Sequence, residues 1–326
     1  MGMSNKTKKA LRKAVKQKNK RRRGHWLFIQ HGDSLKEIGS KLITQLAVLV
    51  LVGCGVILIN ELRLSLVTKQ QNSSYRQIYE KYISQTIEAI TDKVTGEKQL
   101  LPAAQQLMVI NPDTVGFIQI DGMENIALPV VQRREKDGND YYLKTAFDGS
   151  INKAGTVFLD RRAVLDADEQ SDVLTLYGHN QKDGTMFGDL KYYKHDVEFY
   201  KAHPLIRFDS NYEMGTYKIF AYFVTETLPE QTADGNVFRY HNYIGLNKEK
   251  YDEYIDNIML RSQIITSVDV QYGDKFLVLS TCSNEFDNSR FVVFARKTRE
   301  GEDETVDTAS AVINPNAKEP DWNVIY

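Results

Sequence analysis

Residues 275–282 read KFLVLSTC, and after a connection at 283–289 the chain resumes as RFVVFAR at 290–296. Both runs are rich in β-branched and aromatic residues, which pack well on a pleated sheet. A connection this short lets the two strands pair as an antiparallel hairpin. In the first strand, two-residue alternation puts Phe276, Val278, Ser280 and Cys282 on one face. Hairpin pairing then carries Cys282, at the exit of one strand, to the same sheet end as Arg290, at the entrance of the next. That pairing predicts a thiol and a guanidinium facing each other across a loop mouth.

A third run, VLTLYGH at 173–179, is a strand leading into Gly178 and His179. On chemistry alone, His195, His203 and His241 are equally available to join the pair. Further β-rich runs lie at 115–120, 126–131, 141–147, 156–159, 205–208 and 216–225. Turn signals such as Asp137-Gly138-Asn139 and Asp183-Gly184 separate several of them. So many short strands between residues 111 and 299 predict a mainly β fold with helices, closed as a barrel or layered as a sandwich. Two helical interruptions are expected, around 186–202 and 248–265. Upstream, residues 61–101 are polar and glycine-poor, with Tyr75, Ile78, Tyr82, Ile83, Ile87 and Ile90 at helical spacing. They predict a stalk leading to a docked N-terminal helix that ends near Gly96 and Pro102. From Glu300 onward the chain is acidic with little periodicity, which predicts a loose tail.

Charge over the 326 residues nearly cancels, 42 basic against 43 acidic, but it is segregated. Residues 1–41 hold 13 Lys/Arg against Asp33 and Glu37, and the remainder holds 29 basic and 41 acidic residues. Between them lies LITQLAVLVLVGCGVILI at 42–59, without a charge and with Thr44 and Gln45 near its start. As a helix it would extend roughly 27 Å, enough to cross a hydrocarbon core. The positive-inside rule puts the basic arm in the cytoplasm and everything after Asn60 outside the cell. NELRLSL, which follows, offers no small-x-small cleavage site, so the segment reads as an uncleaved anchor. Beside a membrane span, the basic arm is a topology determinant and anionic-lipid contact, and no nucleic acid is expected as a partner.

Two cysteines are too few for a disulfide scaffold, and no Cys/His group has zinc-ligand spacing, so neither metal nor cofactor is expected. Cys54 falls inside the span and Cys282 outside, so the two cannot pair. A thiol kept free in an oxidising compartment is a candidate for chemistry, the plain alternative being a small buried hydrophobe.

Several stretches together resemble one family. They are LSTC at 279–282 with Arg290 eight residues later, LYGHN at 176–180 followed by DGTMFGDL at 183–190, NPDTVGFI at 111–118, LPVVQ at 128–132, DYYL at 140–143 and GTVFLD at 155–160. From about residue 75 to 299 the chain resembles the class B sortases, membrane-anchored cysteine transpeptidases of the Gram-positive cell surface. The resemblance implies a closed eight-stranded β-barrel with N-terminal helices and a long helix before the Cys strand, behind one transmembrane helix. The expected organisation is a basic cytoplasmic arm at 1–41, the anchor at 42–59, a helical stalk and N-terminal helix at 60–102, the catalytic barrel at 103–299 and the acidic tail at 300–326.

The resemblance also assigns roles. Cys282 becomes the nucleophile, attacking the threonine carbonyl of an Asn-Pro-x-Thr-type sorting signal on a surface protein and giving a thioacyl-enzyme. His179 becomes the general acid and base. Arg290 stays charged and cannot act as a base, so it suits holding the developing oxyanion and the substrate. Ser280 and Thr281 are candidates to line the substrate groove, or equally to be strand hydroxyls bonded to backbone. The helix at 248–265 and the loop at 231–243 would form a groove wall. The acceptor is an amine of the cell-wall precursor, or a pilin lysine if the chain polymerises pili; water in its place would make a plain cysteine peptidase. A non-catalytic binding module fits poorly with three catalytic residue types present. Asn111-Pro112-Asp113-Thr114 itself looks like a sorting signal, but it enters a strand run and no apolar span follows it.

Overall fold

The computed structural model of the chain describes residues 6–13, 27–91, 98–194 and 196–325. Most of the basic arm, Gly96 and His195 lie outside the described residues. The chain divides into two compact units, Met1–Ser65 and Leu66–Tyr326.

A helix, α1 (Leu35–Thr91), starts in the first unit behind a reciprocal cap, and its residues from Leu66 onward belong to the second. The Ser34 amide donates to the Glu37 carboxylate at 2.8 Å, and the Glu37 amide to the Ser34 hydroxyl at 3.3 Å. Lys41 closes on Asp33 at 2.7 Å. The anchor segment and the proposed stalk belong to this one helix, with no break at residue 59 or 60. The helix contains a stretch long and apolar enough to cross a membrane, and leucines 46, 49, 51 and 58 on it are exposed. Apolar residues on every side of a helix are more than a one-sided core could cover.

The second unit is a closed eight-stranded barrel. Its strands are β1 (Thr114–Gln119), β2 (Ala127–Val131), β3 (Val157–Leu159), β4 (Val173–Tyr177), β5 (Leu205–Ser210), β6 (Thr216–Thr225), β8 (Phe276–Cys282) and β9 (Arg290–Lys297), in the order β1-β2-β3-β4-β8-β9-β6-β5. A short β7 (Ile264–Ile265) stands outside the barrel. Pairing is antiparallel except for β2 with β3 and β4 with β8, which run parallel. Alternation sorts the side chains. Leu174, Leu176, Leu277, Leu279, Phe291 and Val293 point into the barrel, whereas Val173, Phe276, Val278, Val292 and Phe294 form a second apolar layer on its outer face. That layer is covered by a helix at Lys248–Arg261, whose Tyr254 and Ile258 are fully buried against it. The helix starts where the Asn247 side chain accepts from the Lys250 amide. The lower part of α1 docks on the other side of the barrel. Tyr79 stacks on Phe117 with centroids 4.0 Å apart, and its hydroxyl donates to the buried Asp209 carboxylate.

Three expectations need correction. Pro102 is more than a marker of the end of the docked helix, which is described to Thr91; it opens another, Pro102–Ile110, where its missing N–H costs nothing. Residues 141–147 form no strand. Their aromatic residues are there to pack, and the buried Tyr142 hydroxyl donates to Asp113 at 2.7 Å.

The third correction concerns the acidic tail, which is tied down. Glu302 receives two hydrogen bonds from the fully buried Arg296 guanidinium (2.5 and 2.7 Å) and one from Lys218 (2.7 Å). Further along, β10 (Val312–Ile313) pairs with β7. The acidic composition that reads as solvated is used for latching. Hydrogen bonds from Arg296 hold the Glu302 carboxyl well below the ordinary carboxylate range, against burial, with Lys218 adding to them. Glu302→Gln is expected to cost about 2 kcal/mol, read as a fall in Tm of about 5 °C. Because the folded-state pKa is depressed, the wild-type advantage is complete above pH of about 4.5 and fades as pH falls below it. Melting curves of the two chains should therefore draw together only gradually on acidification, with part of the gap still present at pH 3, and a gap as large at pH 2 as at pH 7 would rule the latch out.

Candidate active site

Strand register sets the candidate thiol opposite the candidate guanidinium: Cys282 pairs with Arg290 across the β8–β9 hairpin. Both continue the outward-facing alternation of their strands, Cys282 after Val278 and Ser280, Arg290 before Val292 and Phe294. Cys282 is exposed and its thiol is free.

His179 arrives by the parallel pairing of β4 with β8, in register from Val173↔Phe276 to Tyr177↔Ser280. Two further bonds extend that alignment: the Gly178 amide donates to the Ser280 carbonyl (3.2 Å), and the Thr281 hydroxyl to the Gly178 carbonyl (2.7 Å). Asn180 then donates its side-chain amide to the Cys282 carbonyl at 2.9 Å. Gly178 has no room for a side chain, since a Cβ there would lie 2.8 Å from the Phe187 ring. The three candidates thus stand at one end of three neighbouring strands. Among the described residues no hydrogen bond joins Cys282 to either of the other two. The His179 ring is bonded through Nε2 to the Leu143 carbonyl at 2.8 Å, and Arg290 donates from Nη1 to the carbonyls of Asn288 (3.2 Å) and Ser289 (3.0 Å).

Ser280 and Thr281 are buried, and their hydroxyls are already engaged. Ser280 shares a 2.7 Å hydrogen bond with the Tyr240 hydroxyl, and Thr281 holds the Gly178 carbonyl. Through these bonds the two hydroxyls fasten β8 to the 240–242 segment and to the residue that follows β4. Of the other histidines, His203 is bonded through Nδ1 to the Asp121 carbonyl, next to β5. His241 lies closer to the site, on the segment that carries Tyr240. Burial and then the guanidinium of Arg162 hold its pKa below the ordinary imidazole value, with Arg239 and Arg290 adding to the effect.

Sequence reasoning missed the network behind the site. Arg162 grips the fully buried Asp160 with two hydrogen bonds (2.9 and 2.8 Å), and Tyr177 donates to the same carboxylate at 2.9 Å. Arg162 also reaches the His241 carbonyl (2.7 Å) and the Asn242 side chain (3.2 Å). Burial works to raise the Asp160 pKa, but the bonds from Arg162 and Tyr177 outweigh it and leave the carboxyl ionised below its usual range. Burial, with the Asp160 charge beside it, pushes the Tyr177 phenol far up, and burial raises Tyr240 to about 12. Both phenols stay neutral and serve as hydrogen-bonding wall. The network fastens the 240–242 segment to the strand that leads to His179. Asp160 stood in the quoted GTVFLD stretch, but only the fold reveals its partners.

Known proteins share this architecture. A family model described as Sortase domain matches residues 118–298. Sortase B of Listeria monocytogenes is 28% identical over 237 residues, covering 67% of this chain and 86% of that relative. Sortase B of Staphylococcus aureus is 28% identical over 233 residues, covering 70% and 85%. Among solved structures, a Staphylococcus aureus sortase B–substrate complex aligns with a TM-score of 0.58 at 27% identity, covering 71% of this chain and 97% of that one. Sortase B from Bacillus anthracis in complex with AAEK1 aligns with a TM-score of 0.56 at 27% identity, covering 72% and 98%. By its barrel, its strand order and these matches, the chain belongs to the sortase family and is a cysteine transpeptidase of the sortase B type.

Proposed function

We propose that this transpeptidase cleaves an Asn-Pro-x-Thr-type sorting signal after its threonine and joins the released protein to an amine of the cell wall. The observation that carries the reading is that Cys282, Arg290 and His179 stand at the same end of the neighbouring strands β8, β9 and β4. In the first half, the Cys282 thiolate attacks the threonine carbonyl carbon and the C–O π electrons move onto oxygen. Arg290 donates to that oxyanion. The C–N bond then breaks, the leaving amine takes a proton from His179, and a thioester remains. In the second half an acceptor amine attacks the thioester, gives its proton to His179 and expels the thiolate. A carbonyl can only accept, so the bond to Leu143 implies a proton on Nε2. Nδ1 is then the nitrogen that exchanges its proton with the substrate amines.

The apolar stretch of α1 would anchor the enzyme, with the basic arm in the cytoplasm and the barrel outside, where surface proteins and wall precursors meet it. An outer unit richer in carboxylates favours a cationic amine over an anionic polymer as acceptor.

Incubating the full-length protein with an Asn-Pro-x-Thr peptide and competing amines tests this, with products identified by mass spectrometry. The expected product joins the fragment ending in threonine to a wall-type amine such as oligoglycine or diaminopimelate. Joining only to a pilin-type lysine would transfer the reading to pilus assembly, and a free threonine carboxylate as sole product would make the enzyme a peptidase. An uncut peptide would refute the signal assignment.

A further inference from the structure

The chain does not stop where the barrel is complete. β9 carries it from Arg290, at the Cys282 end of the sheet, to Lys297 at the other end, and the residues that follow bring it back. After the Glu302 latch, the Asp307 carbonyl accepts from Ser267 at 2.6 Å. β10 then adds to β7, and Ala311 is buried with the barrel's interior. The Lys318 amide donates to the Leu260 carbonyl at 2.8 Å, and the Asp321 amide to Glu226, just past β6, at 3.3 Å. A last turn, Trp322–Ile325, sets the Trp322 ring edge-on against Phe286, centroids 5.7 Å apart, while Ile325 packs on the same core. Phe286 is the midpoint of the loop at 283–289 that joins Cys282 to Arg290. The match to the sortase domain ends at residue 298, so this return path is an addition to the matched region.

We propose that the C-terminal segment is a strap and Trp322 a positioning residue: by seating Phe286 it fixes the loop between Cys282 and Arg290. Polar contacts hold the flanks of that loop. Lys194 reaches Ser283 (2.8 Å) and Glu285 (2.6 Å), Gln231 the Asp287 carbonyl (2.6 Å) and Thr227 the Asn288 carbonyl (2.8 Å). The apex depends on Phe286, which is 9% exposed and lies under the Trp322 ring. The Arg290 guanidinium is itself bonded to the loop carbonyls of Asn288 and Ser289, so a shift of the loop moves the guanidinium with it. Displacements of about 1 Å at a reacting centre can cost on the order of 100-fold in rate, so a strap that removes that freedom acts on turnover. This consequence rests on the roles proposed for Cys282 and Arg290; the strapping of the loop does not.

The test compares full-length wild type, Trp322→Ala, Trp322→Phe and a chain stopped after Asp321, all in detergent micelles. Amide hydrogen exchange is read at Ser283 and Ser289, whose N–H groups bond to the Ser289 and Phe286 carbonyls. Trp322→Ala and the shortened chain should exchange about tenfold faster at both amides, with β6 and β9 unchanged. With an Asn-Pro-x-Thr peptide and an amine acceptor, kcat should fall about tenfold while KM stays within about twofold, and Trp322→Phe should restore both. Unchanged exchange, or faster exchange with wild-type kcat, would overturn the proposal. If Trp322→Ala fails to fold, the shortened chain decides, since it keeps β10 and its anchors. A wild type that leaves the peptide uncut would refute the transpeptidation reading, and exchange alone would then judge the strap.

Discussion

Cys282→Ser is expected to lower peptide ligation by about 10,000-fold or more, with Cys282→Ala no worse. An alcohol is a weak nucleophile unless a base is already bonded to it, and among the described residues no base is bonded to position 282. The His179 Nε2 is engaged by the Leu143 carbonyl, and no hydrogen bond joins His179 to position 282. A thiol needs less help, because a useful fraction ionises near neutral pH and the thiolate is intrinsically reactive. The variants should fold normally, since Cys282 is exposed and the strand it ends is held by its backbone ladder and its buried neighbours. Initial rates from quantified ligation product, together with melting curves, check this. Unchanged Tm with product formation reduced to background supports the nucleophile, whereas a serine variant retaining a tenth of the activity would remove Cys282 from the mechanism. Cys54→Ser supplies the control: it lies on the apolar stretch of α1 and should ligate at the wild-type rate.

What could be read from the sequence was local or periodic. The β8–β9 hairpin followed from two apolar runs and a short connection, and the register sets Cys282 opposite Arg290. The covering helix at Lys248–Arg261 and the apolar stretch of α1 were equally visible, because each is long and strongly patterned. His179 could not be placed from its neighbours, because it depends on the parallel pairing of β4 with β8, strands separated by about a hundred residues of intervening fold. Periodicity carries no information about such partners; only the family resemblance did. The Asp160–Arg162–Tyr177 network stayed hidden for the same reason, its contacts reaching across to the 240–242 segment. The tail was misread because composition counts charges without saying which are matched, and Glu302 finds a buried guanidinium waiting for it. Ser280 and Thr281 were correctly placed on their strand, but alternation cannot tell a hydroxyl facing a ligand from one held by Tyr240 or a carbonyl.

Arg290→Ala is expected to lower kcat by about 100- to 1000-fold while leaving KM within a few-fold. The split follows from where the guanidinium acts. A donor aimed at an oxyanion gains most of its strength when the carbonyl oxygen becomes charged, so its loss is felt in the transition state and little in binding. The bonds that Arg290 already makes suit that proposed task in one particular way. Nη1 is spent on the Asn288 and Ser289 carbonyls, which fix the plane of the group and leave its other N–H donors for the substrate. Arg290→Lys should therefore rescue poorly, because an ammonium on a flexible stem cannot bond the loop and hold a fixed donor at the same time. Steady-state kinetics of both variants on the peptide and amine pair would read this directly. A lysine variant close to wild type would reduce the role to one of charge alone. A raised KM with intact kcat would instead assign Arg290 to ground-state binding of the signal peptide. A fall in kcat shared by both variants leaves the anchored fork as the feature that matters, and it would explain why the guanidinium is bonded to the same loop that the Trp322 turn holds in place.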